Sequence, residues 1–248
     1  MTARVAVVTG GASGIGLGVC RQLAADGHSI AVLDRQGAAA EAAATELRSG
    51  GARAIAVEVD VADRAAIAAG FAKVRTELGP VAILVTSAGI ESFTPLLEIT
   101  PESWDRILAV NLTGTFTCVQ AAVPDMLAAR FGRIVTIASS SAQSGAPHMA
   151  HYVASKGGVI SLTKALAVEL ARQGITANAI TPSLVDTPMA RAAEAKGDFP
   201  GVDVIAPMVP VGRAGLPADI AAACSFLCSE GGAYVTGQVL GVNGGMYI

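Results

Sequence analysis

The stretch Val5-Ala6-Val7-Val8-Thr9-Gly10-Gly11-Ala12-Ser13-Gly14-Ile15-Gly16 decides the reading of this chain. Its short run of apolar residues reads as a strand buried on both faces. Without a linker it passes into a glycine-rich turn and then a helix that starts near Gly14. That order aims backbone N–H groups and the positive end of a helix at one point, a cradle for a pyrophosphate. The glycines recur as Gly10-x-x-x-Gly14-x-Gly16, not as the commoner G-x-G-x-x-G. A mononucleotide phosphate loop would need Lys and then Ser or Thr after its last glycine, where Leu17-Gly18 stand. Gly10, Ser13, Gly14, Ile15 and Gly16 are therefore the candidate phosphate-binding residues. A turn that binds nothing could use the same glycines; the strand in front favours a ligand.

Outward from this unit, the alternation of apolar strand, turn and amphipathic or Ala-rich helix repeats along the chain. Strands are expected at 4–8, 29–33, 53–57, 81–85, 132–138, 175–180 and 238–242. Helices are expected at 14–26, 38–49, 64–78, 101–129, 151–173 and 217–229. Such alternation implies right-handed crossovers and an α/β fold: a doubly wound parallel sheet with helices on both faces. No repeat, charge block or low-complexity linker divides the chain, so one domain is expected over 1–248. Only 187–212 breaks the pattern, and a long irregular connection in a compact domain is usually a lid or binding loop. Ligands of such sheets sit beyond the carboxyl ends of the strands. The unusual residues gather there: the 10–16 turn, Asp34, Asp60, Ser87-Ala88-Gly89, Ser139 and Pro182.

Composition closes off other classes. Hydrophobic residues are 52% of the 248 and charged residues 15%, which supplies a large core and excludes disorder. The strongly apolar runs span only about five residues, against the roughly 18–20 needed to cross a bilayer, so no membrane partner is expected. A net charge of −3 with no basic block argues against nucleic acid. The first strand begins too early for a signal peptide, and four cysteines do not read as a disulfide framework. A cytoplasmic location with reduced thiols is expected.

Asp34 ends the second strand, eighteen residues past Gly16, near the ~20-residue offset at which a carboxylate takes the adenosine ribose hydroxyls. A 2′-phosphate would meet a like charge there, so NAD is expected rather than NADP. Arg35 could instead hold that phosphate, or stack on adenine. Tyr152 and Lys156 stand at i and i+4 in a helical stretch, with Cβ atoms ~6 Å apart on one face. A free phenol, with a pKa near 10, is a poor base at neutral pH, and an adjacent ammonium or an oxidised nicotinamide favours its ionised form. Ser139, thirteen residues before Tyr152, has a hydroxyl able to hold a substrate oxygen.

Taken together, the 9–16 turn, Asn111, Ser139, Tyr152 and Lys156 resemble the short-chain dehydrogenase/reductase family, with the match running from 4 to 247. The resemblance implies a Rossmann-like fold, a nicotinamide cofactor, and reversible hydride transfer between a secondary alcohol and a ketone. It implies that Tyr152 is the general acid/base and that Lys156 lowers its pKa while binding the nicotinamide ribose. Ser139 would orient the substrate oxygen, and Asn111 would support a water-mediated proton relay. Asp60 and Val61 match the adenine-contacting pair, and Ala88 and Gly89 lie beside the cofactor. Pro182 and Val185 join the cofactor-binding set, and Thr187 matches the threonine at the carboxamide. The ending Val242-Asn243-Gly244-Gly245-Met246-Tyr247 resembles the family's 3-oxoacyl thioester reductases. Asp34 runs against the NADPH typical of biosynthetic reductases, which leaves an oxidative alcohol or hydroxyacyl dehydrogenase equally open. A homotetramer is also implied, through the 101–129 and 151–173 helices and the C-terminal segment.

Two departures stand out. Thr86-Ser87 replaces the usual Asn-Asn before Ala88-Gly89, and Pro182-Ser183 replaces Pro-Gly. Rival readings are weaker. A dinucleotide-binding sensor without turnover would not need the tyrosine, lysine or serine. The Ser161-x-x-Lys164 spacing of serine acyl enzymes lacks its partner motifs. Cys224 and Cys228 share a helix face, but no histidine completes a zinc spacing. His148 and His151 would border the substrate, as ligands or as plain loop residues. The lid at 187–212 would present Met189, Phe199, Pro200, Ile205, Pro207, Met208 and Val209 as an apolar underside, with Phe93 and Met149 adding to the pocket.

Overall fold

The computed structural model describes residues 3–248. Among them, Val5–Thr9 (β1), Ser29–Asp34 (β2), Ala54–Glu58 (β3), Val81–Thr86 (β4), Gly132–Ile137 (β5), Ile175–Pro182 (β6) and Val239–Val242 (β7) form one parallel sheet of order β3-β2-β1-β4-β5-β6-β7. Each expected strand is present, its ends within two residues of the sequence reading. Alternation along β1 sends Val5 and Val7 to one face and Ala6 and Val8 to the other. On the first face Val7, Leu33, Leu84 and Ile134 pack with Phe71 of Arg64–Glu77 (α3), Met126 of Gly114–Ala129 (α5) and Ala167 of Ala150–Leu170 (α7). On the second, Val8, Val32, Val85 and Ile180 pack with Leu23 of Gly14–Ala25 (α1), Leu47 of Gly37–Ser49 (α2) and Ile220 of Pro217–Cys228 (α10). Two apolar layers of this kind are why the strands read as continuous hydrophobic runs.

Helix starts follow local chemistry. Asp63 caps α3 by accepting from Ala65 N (2.8 Å) and Ala66 N (3.1 Å). Thr100 caps Pro101–Leu108 (α4), accepting from Ser103 N at 3.2 Å, and Pro101 occupies the first turn, where its missing N–H costs little.

Three expectations need correction. The 101–129 segment is not one regular helix: α4 passes through a π-helical turn, Ala109–Thr113, before α5. The combined helix is also long and apolar enough to cross a membrane by length and composition, although only short runs stood out in the sequence. Half of its most apolar window is buried inside the fold, so it is a core helix. Finally, 187–212 is not irregular. It contains Pro188–Lys196 (α8), Val202–Ile205 (α9) and a 3-10 turn, Ala206–Met208. The Thr187 hydroxyl starts α8 by accepting from Ala190 N at 3.2 Å.

The chain crosses from one half of the sheet to the other between β1 and β4. The carboxyl ends of these strands therefore border the crevice where such sheets bind ligands.

Candidate active site

The glycine turn packs against the exit of β4. Gly10 has φ +64°, and a Cβ there would lie 2.8 Å from Ala88 N and Cα, so no other residue fits without displacing the loop. Gly16 is equally confined, since a Cβ would overlap the Gly10 carbonyl. The Thr9 hydroxyl completes the junction by accepting from Ala88 N at 3.1 Å. Ser13 precedes α1 without capping it, and no acidic residue stands in the helix's first turn. The first N–H groups are thus unclaimed by side chains, which fits a dinucleotide pyrophosphate. Thr187, which precedes α8, faces this turn: its Cβ lies 3.5 Å from where a Gly14 Cβ would be.

Asp34 ends β2 and organises the same edge. Its carboxylate accepts from Ala12 N (3.2 Å) and Gln36 N (3.0 Å), leaving acceptor capacity for ribose hydroxyls. Glu58 pairs with Asp34 in the β2–β3 register and packs against Gly37, adding a second carboxylate. Arg35 is exposed, and its charge acts on Asp60. The Asp60 carboxyl is held below the usual range, chiefly by the Ala62 N–H at 2.9 Å, with Arg106 and Arg35 adding to it. Val61 beside it is buried in the first core face.

Asn111 lies inside the π turn. Its Oδ1 accepts from Ile90 N (2.9 Å), and its Nδ2 donates to Ile90 O (3.0 Å) and to Ser155 Oγ (3.0 Å). The Ser155 hydroxyl in turn donates to the Tyr152 carbonyl at 2.7 Å. Asn111 therefore ties the β4 exit to α7, the helix that carries Tyr152 and Lys156, with both amide hydrogens committed. Any role in a proton relay would use what remains of its Oδ1 acceptor capacity. The wider π turn leaves room for this inward side chain, a frequent use of such turns at functional sites. The sequence carried no signal for it, or for Ser155.

The i, i+4 spacing places Lys156 Nζ 5.8 Å from the centre of the Tyr152 ring. Lys156 is buried, and its ammonium donates to Ile137 O at 2.8 Å, at the end of β5. The carbon of Gly89 comes so near that a Cβ there would lie 3.4 Å from both Lys156 Nζ and Asn111 Oδ1. Ser139 follows β5, where Ala138 N and Ser140 N continue the ladder to Ile180 O and Pro182 O, both at 2.8 Å. Its hydroxyl pairs with Ser141 Oγ at 2.8 Å and accepts from Ser141 N at 3.2 Å, at the start of Ser141–Ser144 (α6). Val185 is buried where the chain leaves β6 and bridges to Gly215.

One electrostatic expectation is reversed. The lysine was expected to bring the phenol down. Instead, burial pushes Tyr152 up to about 12, the negative charge of Glu91 adds to this, and the Ser139 hydroxyl acts the other way. Burial also brings Lys156 down to about 8, against the opposing charge of Glu91. In both groups burial is the largest cause of the shift, because it disfavours the charged form.

Glu91 was not singled out in the sequence. A carboxylate directly after the Ala88-Gly89-Ile90 turn was the available signal. The two histidines also part company. His148 is exposed at φ +62°, and its carbonyl accepts from Thr94 N at 2.6 Å, clipping the loop before α7 to the segment after β4. His151 is fully enclosed on the Ser155 face of α7, and neither ring nitrogen has a hydrogen-bond partner. Within 187–212, Val209 is buried and Phe199 stacks on Phe93 with ring centres 6.5 Å apart. Met208, 72% exposed, is not part of an apolar underside. Arg191 of α8 pairs with Asp186 (2.8 Å), Glu194 (3.2 Å) and Asp203 (2.8 Å), joining α8 to α9 and to the segment that precedes α8.

The two departures from the family pattern have different consequences. Thr86 Oγ1 is buried without a hydrogen-bond partner, so it does not replace an asparagine's bonds. Ser183 Oγ donates to Asn243 O at 2.9 Å, fastening the end of β6 to the C-terminal segment. Cys224 and Cys228 are free and buried, and burial pushes Cys228 up to about 12.

This fold and these residues define an oxidoreductase, and the chain belongs to the short-chain dehydrogenase/reductase family. Residues 10–247 match the family model described as enoyl-(acyl carrier protein) reductase. The chain is 37% identical to 3-oxoacyl-[acyl-carrier-protein] reductase MabA of Mycobacterium bovis, with 98% of this chain and 92% of the relative covered. It is 38% identical to 3-oxoacyl-[acyl-carrier-protein] reductase FabG of Staphylococcus aureus, with 98% of each covered. Among solved structures, it superposes on a variant of actinorhodin polyketide ketoreductase solved with NADPH. That match has a TM-score of 0.95 and 38% identity, covering 98% of this chain and 97% of the other.

Proposed function

We propose that this enzyme interconverts a secondary alcohol and a ketone using NAD, with Tyr152 as the proton-transferring group. The observation that carries the reading is the meeting of Tyr152, Lys156, Ser139 and Gly89 beyond the carboxyl ends of β4 and β5. The nicotinamide supplies hydride acceptance in oxidation and hydride donation in reduction. Tyr152 takes the alcohol proton as the carbon–oxygen double bond forms, and returns it in reduction. Ser139 holds the substrate oxygen in line with the phenol, while Lys156 holds the ribose and keeps a positive charge beside Tyr152. A positive nicotinamide would add to that charge and oppose the desolvation that raises the phenol pKa. The names of the relatives make 3-oxoacyl thioesters the first ketones to test, with 3-hydroxyacyl thioesters and cyclic alcohols as the alcohols to test in oxidation. A sensor without turnover has no finding in its favour.

The NAD preference rests on Asp34 and Glu58 at the adenosine edge. It stands against the NADPH of the ketoreductase structure. A 2′-phosphate next to these carboxylates would meet a repulsion of several kcal/mol, each 1.4 kcal/mol being about tenfold. Paired kcat/KM measurements with NAD and NADP should favour NAD at least about tenfold. Asp34→Ala should reduce the ratio by a similar factor, and an unchanged ratio would remove Asp34 from cofactor selection.

The lid reading of 187–212 is supported by the Phe93–Phe199 stack and the Arg191 clamp. A homotetramer is supported by exposed Trp104, Phe116, Leu127 and Val168 on α4, α5 and α7, and by Leu240, Met246 and Tyr247 at the C-terminal end. Light scattering should give four times the chain mass; a monomer mass would refute it. Four free, buried cysteines suit the cytoplasm.

A further inference from the structure

The edge of the sheet opposite the active site holds a cleft that the alcohol–ketone chemistry does not use. It has a volume of about 480 Å³ and lies at the amino ends of β5 and β6, between Phe131, Arg133, Ala171, Thr176, Tyr234 and Thr236. That volume falls within the roughly 300–1,000 Å³ usual for small-molecule sites. Arg133 and Thr176 are partners in the β5–β6 register, so their side chains leave the same face of the sheet side by side. Arg133 stands at the start of β5 and Ser139 just past its end, roughly 20 Å of extended chain apart. An occupant of the cleft therefore does not compete with a substrate at Tyr152.

The polar groups of the cleft are donors short of acceptors. Arg133 is only 3% exposed, and burial pushes its pKa down, with the charge of Glu230 acting against this. Its Nε donates to Ser229 O at 3.4 Å, and its Nη1 to Gly132 O (3.0 Å) and Gly174 O (3.5 Å). For Nη2 the partner among the described residues is Glu230 Oε2 at 3.9 Å, beyond hydrogen-bond reach and on a side chain 70% exposed. Thr176 Oγ1 is buried with no hydrogen-bond partner among the described residues, and a turn about χ1 would present it to the cleft. The Thr236 hydroxyl accepts from Ala177 N at 3.1 Å and keeps its own proton to give. Buried donors without acceptors cost free energy that an incoming acceptor recovers.

Charge points the same way. Arg4 shares Glu230, at 3.5 Å, and the Arg4 and Arg133 guanidiniums lie 3.4 Å and 4.3 Å from the centre of the Phe131 ring. Two guanidiniums thus share one exposed carboxylate, and one positive charge is left over beside walls made of Phe131, Ala171 and Tyr234. We propose that this cleft is a second binding site, separate from the active site, for a monocarboxylate carrying a short apolar chain. The carboxylate takes Arg133 and the two threonine hydroxyls as donors, and the chain lies against the aromatic and alanine walls. A single uncompensated charge among apolar walls suits one carboxylate better than a doubly charged phosphate.

The test is calorimetric titration of the parent protein with hexanoate and with hexanamide, its uncharged counterpart, at pH 7. Hexanoate should bind about tenfold to a hundredfold more tightly, the range set by hydrogen bonds between charged groups. It should also raise the Tm of the parent. Arg133→Met, which keeps an apolar stem, should bring the two affinities together. Ala171→Trp adds bulk to the cleft from an exposed position and leaves Arg133 in place, so it should weaken hexanoate at least tenfold even where Arg133→Met fails to fold. Circular dichroism and NAD affinity report whether each variant is folded. A parent that binds hexanoate no better than hexanamide overturns the assignment, as does a folded Ala171→Trp protein with parental affinity. Neither result bears on the alcohol–ketone reading, which rests on the other edge of the sheet.

Discussion

Tyr152→Phe should lower kcat by about 10²–10⁴-fold, the usual contribution of a positioned acid or base, and leave NAD affinity within about twofold. The substitution removes one oxygen and keeps the ring, so the packing of α7 against Asn111 and Ser155, which uses the Tyr152 backbone, is untouched. Loss of the proton acceptor acts only where the alcohol proton moves. The effect should therefore fall on kcat and kcat/KM together, as when an interaction made only in the transition state is lost. Steady-state rates in both directions, beside cofactor titration by fluorescence, check this. A variant with parental kcat would take Tyr152 out of the chemistry.

Lys156→Met should abolish turnover to a similar degree and yet stabilise the cofactor-free protein at pH 7. Burial brings this lysine down to about 8 from an ordinary 10.5. At pH 7 it is protonated both folded and unfolded, so the folded protein bears the full cost of a buried charge, about 3 kcal/mol. Between pH 8 and 10.5 the unfolded chain holds the extra proton, so this cost is relieved and stability rises with pH. Tyr152 works in the opposite sense at higher pH. Its raised pKa gives stability that is complete below about 10 and is lost as pH climbs toward 12. Methionine removes the lysine's cost and forfeits the charge-assisted bond to Ile137 O, worth about 1.5–3 kcal/mol. The net gain of up to about 1.5 kcal/mol corresponds to a Tm rise of up to about 3–6 °C for a chain this long. Calorimetry from pH 7 to 10 should show the higher Tm and a flattened slope. A lower Tm with the parental slope would contradict the buried-charge account.

The sheet was legible because its strands are apolar on both faces and its turns glycine-rich. Each expected strand is present, and the residues that gather in the sequence after strand ends also gather in space. What escaped depends on contacts between distant segments. The π turn around Asn111 is held by Ile90 and Ser155, 21 and 44 residues away, and no local pattern encodes it. The helices within 187–212 are hidden in the sequence because Pro188, Gly197 and Gly201 punctuate the segment. In the fold they serve as helix start, left-handed C-cap and the residue preceding α9. The direction of the Tyr152 shift could not be read from i, i+4 spacing, which gives proximity but not burial. Glu91 carries only its place after the Ala88-Gly89-Ile90 turn as a sequence signal, and the effect of its charge on Tyr152 and Lys156 depends on how those segments fold together.

The central claim is that this site passes a hydride to a nicotinamide while Tyr152 takes the proton. The most direct measurement follows the label from a secondary alcohol deuterated at its carbinol carbon, incubated with the enzyme and NAD, into the cofactor by NMR. The account predicts deuterium at C4 of the reduced nicotinamide with the parent protein, and almost none over the same time with Tyr152→Phe. Label that never reaches the cofactor in the parent, or that reaches it equally fast in the variant, would contradict it.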